Sequence, residues 1–264
     1  MRAWSWGALI LAVGCGGDVE YGGDDADASS GGSTVDTSPL VDTGFDADVV
    51  TTLPTGGAET CLWVNGGSDR VRAPAVGTPI GQSPQTIEAW VRTASLAPQV
   101  AVSHGLASPG KAFYLGTHDG YLMMSTAGLE HVEERFFVAD GEWHHVAITY
   151  NGREATLTMD GERGEAVAFE DVDIAEGEVV AGAAPTTGGY PWVGWIDDVR
   201  IYQRERTASD LRSPEVEDDR GLVMWWDFEV EGKGAGVTVP DQSGLGADGT
   251  SGGAEGTPEF RPCR

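Results

Sequence analysis

The stretch DGEWHHVAITYNGREATLTMDGE, Asp140 to Glu162, constrains the fold of this chain more than any other. Apolar residues alternate from Trp143 to Tyr150, Asn151-Gly152 follows, and a second alternating run goes from Arg153 to Met159 before Asp160-Gly161. Period-two alternation marks strands, because successive side chains point to opposite faces. Asn-Gly and Asp-Gly supply the positive φ angles of tight primed turns, so the stretch predicts a three-stranded antiparallel meander. A two-residue turn at Asn151-Gly152 would pair Tyr150 with Arg153, Ile148 with Ala155, Val146 with Leu157 and His144 with Met159. That face is apolar and belongs in a core. The opposite face sets His145, Ala147 and Thr149 against Glu154, Thr156 and Thr158, and reads as the half-wet side of a sheet in a sandwich. The register puts His144 among core residues and His145 among hydroxyls. No Cys or second His lies at ligand spacing, so His144 reads as a satisfied core histidine.

Flanking segments repeat the pattern. Short strands are predicted at Leu62 to Asn65, Arg70 to Ala73, Gln99 to His104, Ala112 to Thr117, Tyr121 to Ser125, His131 to Val138 and Glu178 to Gly182. Longer ones fall at Gln85 to Thr93, Trp192 to Tyr202 and Leu222 to Phe228. In QTIEAWVRT, Ile87, Ala89 and Val91 share one face and Glu88, Trp90 and Arg92 the other. Only Thr207 to Arg212 looks helical, with Thr207 and Asp210 at capping-box spacing. Many short strands with turn signals between them argue an all-β, antiparallel two-sheet jelly-roll sandwich.

The N-terminal residues have a different character. MRAWSWGALILAVGC combines one Arg, an apolar run from Ala8 to Val13, and Gly14 before Cys15. The run is too short to span a bilayer and suits a secretory signal. A small residue before Cys resembles the bacterial lipobox, which makes Cys15 the expected lipidation site and 1–15 a lipoprotein signal peptide. Residues 16–58 contain nine Asp or Glu and no Lys or Arg, with abundant Gly, Ser and Thr. Such a segment cannot bury enough apolar area to offset ordering entropy, and reads as a disordered acidic linker ahead of a domain at 59–264. Of the three cysteines, Cys61 and Cys263 then remain. They bracket the domain and are read either as a disulfide or as two buried thiols; a bridge would contribute roughly 4 to 5 kcal/mol in the chain-entropy model. The whole chain carries 42 acidic and 16 basic residues, a formal charge of -26. Nucleic acid is a poor partner for such a surface.

QTIEAWVRT, DGEWHHVAITYNG, GYPWVGWIDDVRIYQRERTASDL and GLVMWWDFEVEGKGAGVTVPDQSGLGADGT together resemble the LamG-like jelly-roll domains of the concanavalin A-like lectin/glucanase superfamily. In many relatives the last of these segments leads into the first strand. At the C-terminus it either closes the sandwich beside that strand or is a remnant of a truncated repeat. Related sandwiches often carry calcium at a sheet edge, held by a carboxylate and backbone carbonyls. The resemblance therefore implies a structural calcium, with Asp69, Asp197 and Asp198 as metal candidates; capping turns or pairing with arginines is the competing role.

The superfamily's hydrolases resemble one another in an E-x-D-x-x-E strand, which is missing here, so catalytic residues are expected to be none. Of nine tryptophans, Trp90, Trp143, Trp225 and Trp226 lie on predicted strands and read as packing residues. Tyr190 and Trp192, in the GGYPW loop, are the ligand-binding candidates, with a hydrophobic plug as the competing role for Trp192. The expected function is a non-catalytic binding or adhesion module for a glycan or surface protein. It would be exported and held by a lipid anchor alone, at the outer membrane or cell surface of a Gram-negative bacterium. A structural envelope lipoprotein and a divergent glycoside hydrolase are the alternatives.

Overall fold

The computed structural model describes residues 60–67, 69–169, 171–185, 189–212, 220–252 and 258–263. The expected signal, Cys15 and the acidic linker lie outside the described residues. The chain forms β1 (Thr60–Asn65), β2 (Arg70–Pro74), β3 (Gln85–Arg92), β4 (Gln99–Gly105), β5 (Ala112–His118), β6 (Tyr121–Ser125), β7 (Glu130–Phe137), β8 (Trp143–Tyr150) and β9 (Glu154–Met159). There follow β10 (Glu162–Ala168), β11 (Glu178–Ala181), β12 (Val193–Tyr202), α1 (Ala208–Arg212), β13 (Leu222–Trp226), β14 (Gly232–Lys233), β15 (Thr238–Val239), β16 (Gly249–Gly252) and β17 (Glu259–Pro262). Two antiparallel sheets result. One runs β10-β9-β8-β3-β12-β1-β17-β14, with β13 also on β12; the other runs β15-β16-β2-β11-β4-β5-β6-β7.

Alternation explains what fills the space between them. The first sheet turns Leu62, Ile87, Ala89, Val146, Ile148 and Ile196 inward, and the second Val71, Val102, Phe113, Leu115 and Leu122; none is more than 1 % exposed. Each such aliphatic or aromatic side chain contributes about 1.5 to 3 kcal/mol by leaving water.

The meander forms, but its first turn is not the predicted one. Val146 pairs with Met159, Ile148 with Leu157 and Tyr150 with Ala155, two residues away from the expected register. Gly152 has φ +99, yet Asn151 has no positive φ. Its Oδ1 instead accepts hydrogen bonds from the N–H groups of Arg153 and Glu154, each at 2.9 Å, and the loop widens. An Asx side chain that captures downstream amides competes with the primed turn. A slip of two preserves the faces. The primed geometry appears at Asp160-Gly161 (φ +49 and +78) and Asp119-Gly120 (φ +53 and +84).

The outer face of this sheet is dry where the pattern predicted it half-wet. Glu88, Trp90, His145, Thr149 and Thr158 are each 2 % exposed or less. The segment after β12 folds across Thr86 and Glu88: Arg206 N–H donates to Thr86 Oγ1 at 2.9 Å, Thr86 Oγ1 donates to Arg204 O at 2.9 Å, and the Arg206 guanidinium pairs with Glu88. The capping box closes as expected, Thr207 N–H to Asp210 Oδ2 at 2.9 Å and Asp210 N–H to Thr207 Oγ1 at 3.3 Å. Leu211 anchors α1, fully buried.

The C-terminal segment closes the sandwich. β17 pairs with β1, Leu62 opposite Phe260, and β16 pairs with β2. Cys61 and Cys263 form a disulfide, 202 residues apart in sequence.

Candidate functional site

The loop from Gly182 to Trp192 is tied down on both sides, by Gly182 N–H to Ala101 O at 2.7 Å, Val100 N–H to Tyr190 O at 2.8 Å and Trp192 N–H to Gly182 O at 2.9 Å. Its two candidate aromatics have opposite fates. Trp192 is 1 % exposed within the main core, so the plug is its role and no face remains for a ligand. Tyr190 is 42 % exposed, with φ +52. Tyr114 beside it has its hydroxyl pushed up, by burial first and then by Tyr190.

The three candidate metal ligands are not brought together. Asp69 is fully buried in the β1–β2 turn, accepting from Asn65 N–H at 3.4 Å, while its Oδ1 has no partner among the described residues. Burial, outweighing the Asn65 hydrogen bond, raises its carboxyl above the usual range. Asp197 pairs with Trp90 of β3, and Asp198 follows it in a bulge of β12 before pairing resumes at Arg200 and Glu88. Asp198, at φ +51, binds Arg200 at 2.7 Å and the Trp225 indole N–H. Asp197 lies against the disulfide, its carboxylate within 4.8 Å of both sulfurs, and accepts from Asp198 N–H at 2.9 Å. Calcium takes six to eight oxygens. Asp69 could offer one, but Asp198 is committed to a guanidinium and an indole, and sulfurs in a disulfide are not thiolate ligands. The expected trio does not fit such an ion.

A different constellation emerges on the outer face of the first sheet. The registers align Trp143, Arg92, Trp195, Trp63 and Glu259 in one cross-strand row over β8, β3, β12, β1 and β17. Side chains directly opposite in adjacent strands are within contact reach, so the row is a continuous surface. Trp143 is buried, whereas Trp63 and Trp195 are half-buried. The Arg261 guanidinium, one pleat along β17, lies over both half-buried rings, 4.0 Å from the Trp63 centroid and 4.7 Å from that of Trp195. Cys61, Trp90 and Trp143 form a separate buried apolar cluster, with Trp195 and Cys263 packed against it. Beside the row opens a groove of about 460 Å³ lined by Trp63, Trp195, Arg92, Thr93, Ser95 and Gly141, among others. No carboxylate lines it among the described residues, so paired-acid hydrolysis has no groups to use there. Sequence reasoning passed over Trp63 and Trp195. The signal was present: each alternates with buried neighbours, Trp63 between Leu62 and Val64 and Trp195 before Ile196, which sends both indoles outward.

Arg92 and Thr93 shape one wall. Arg92 Nε–H donates to Gly141 O at 2.6 Å, and Thr93 Oγ1–H donates to Val193 O at 2.7 Å. Gly194, at φ +140, lets β12 pass close to this wall, since a Cβ there would stand 2.1 Å from Arg92 O.

Comparison with known proteins agrees with this architecture. Residues 65–212 match the family model described as the concanavalin A-like lectin/glucanases superfamily. Among solved structures, a candidate carbohydrate-binding protein from Bacteroides ovatus superposes with a TM-score of 0.57 at 16 % identity, covering 77 % of this chain and 60 % of that one. The chain thus spans about three fifths of that protein's length. A heptameric pentraxin from Limulus polyphemus scores 0.47 at 16 % identity, over 62 % of this chain and 84 % of that one. Domain 4 of an extracellular arabinanase from Geobacillus stearothermophilus, in complex with arabinotriose, scores 0.47 at 18 % identity, over 61 % and 78 %. With the match covering more than half of its length and the two-sheet sandwich around it, the chain belongs to the concanavalin A-like lectin/glucanases superfamily.

Proposed function

We propose that this protein is a non-catalytic glycan-binding module, exported and displayed at the cell surface on a lipid anchor at Cys15. The observation that carries the binding role is the open groove beside Trp63 and Trp195. An apolar plate beside hydrogen-bonding groups is what a sugar ring requires, because one side of the ring presents C–H bonds and its rim presents hydroxyls. Trp63 and Trp195, stacked under Arg261, line the groove with their remaining indole surface as its apolar wall, and Arg92 supplies donors. Membership in a lectin and glucanase superfamily agrees with this reading.

A glycan array probed with the full chain should return bound oligosaccharides. Changing Trp63→Ala or Trp195→Ala should weaken the best of them tenfold or more, about 1.4 kcal/mol. Absence of any glycan binding, or indifference to both changes in variants with unaltered melting temperature, would sink the reading. Changing Cys15→Ser should move the protein from the membrane fraction to the soluble one; continued membrane retention would refute the anchor.

A further inference from the structure

We infer that the groove beside Trp63 and Trp195 selects an anionic sugar, one bearing a carboxylate or a sulfate ester; this rests on the glycan-binding reading above. The contrast of charge is the starting point. Acidic residues outnumber basic ones 42 to 16 across the chain, yet Arg92 is the one charged side chain lining the groove among the described residues. A second cation, Arg261, lies across both tryptophan rings at its margin.

The bonding of Arg92 leaves its useful edge available. Nε–H is committed to Gly141 O at 2.6 Å, which fixes the plane of the guanidinium, and its terminal nitrogens have no hydrogen-bond or ion-pair partner among the described residues. A guanidinium held by one nitrogen presents a flat, two-pronged donor that matches a carboxylate or sulfate, and such charge-assisted bonds are about twice as strong as neutral ones. Sugar hydroxyls would satisfy the donors without matching the charge. Arg261 shares its charge with Glu259 through a single bond at 3.3 Å, and its Nε is buried without a partner among the described residues.

The surrounding acids do not cancel this field. Asp140 is engaged by His144 at 3.1 Å and by Glu142 N–H at 2.9 Å, and Asp197 is turned against the disulfide. Glu142, exposed and next to Gly141, is the rim acid without an ion pair among the described residues. It opposes an anionic ligand and gives the inference a second sign to test.

The test is a matched comparison with the full chain: oligogalacturonates against galacto-oligosaccharides, and dextran sulfate against dextran, in dilute buffer and in high salt. The anionic member of at least one pair should bind tenfold or more tightly, with an advantage that shrinks as salt rises. The galacturonate and dextran sulfate arms separate the carboxylate from the sulfate source. Arg92→Gln should remove most of that advantage, Arg92→Lys should restore only part, and Glu142→Gln should increase it. Arg72→Gln, on the second sheet, should leave it unchanged. Equal binding of neutral and anionic members overturns the inference while the glycan-binding reading stands, as does an unchanged advantage in Arg92→Gln. Binding of no glycan at all overturns both.

Discussion

The adjacent histidines of β8 show how one residue of displacement reverses electrostatic behaviour. His144 faces the core side but at its rim, where Asp160 and Asp140 hold its ring at 2.7 and 3.1 Å. Burial alone would lower its pKa, and the two carboxylates more than offset that, so it is raised. The expectation of a satisfied core histidine holds, with two carboxylates at the rim of the core as its partners. His145 is 2 % exposed, tilted against Trp90 at 5.5 Å. Burial, with Arg200 and Arg206 assisting, lowers its pKa to about 3. The signs for stability follow. His144 takes up its proton more readily when folded, so its contribution is complete below the unfolded value of about 6.5 and is lost as pH rises through the folded value. His145 is protonated first in the unfolded chain, so its contribution is complete above about 6.5 and declines toward pH 3 by up to about 1.4 kcal/mol per unit. Urea midpoints measured from pH 4 to 9 should separate the two: His145→Gln flattens the acid limb, and His144→Gln destabilises more at pH 5.5 than at 8.5. Parallel profiles for both variants would contradict this assignment.

At the scale of elements, alternation was legible and its environment was not. The strand predicted at Tyr121 to Ser125 matches its bounds, and most others fall within a residue or two, because period two is a local property of the chain. What alternation cannot report is what lies on the second face. Glu88 looks like part of a wet surface in sequence, and it is buried against Arg206, more than 110 residues later in the chain. The short pairings of β14, β15, β16 and β17 escaped for a related reason: Gly232–Lys233 and Gly249–Gly252 have too few side chains to carry a pattern, and they become strands only because β17 and β2 offer edges. The candidate site suffered similarly. Trp192 sits in a Gly-Pro loop that reads as exposed, yet the core reaches up to it. Trp63 and Trp195 lie on strands that read as packing, yet they meet only through a pairing of β1 with β12, some 130 residues apart.

For the whole molecule, the order of strands makes the groove depend on closure of the chain. β1 lies between β12 and β17, so the first and last strands of the domain are neighbours in the same sheet as the tryptophan row. Arg261, which covers both indoles, is two residues from Cys263, and the disulfide holds that end to β1. A bridge spanning 202 residues removes enough unfolded-state freedom to contribute about 5 kcal/mol in the chain-entropy model. β17 is otherwise held by only four pairs with β1 and two with β14. Loss of the bridge should therefore act on stability and on the groove together. The double variant Cys61→Ser/Cys263→Ser should melt on the order of 10 to 20 °C lower, taking about 2 to 4 °C per kcal/mol for a domain of this size. It should also bind its best glycan severalfold more weakly at temperatures where it is still folded, although neither cysteine lines the groove. Calorimetry and titration of the same preparations check both effects. An unchanged melting temperature would mean that strand pairing alone closes the sandwich, and an unchanged affinity would separate Arg261 from ligand binding.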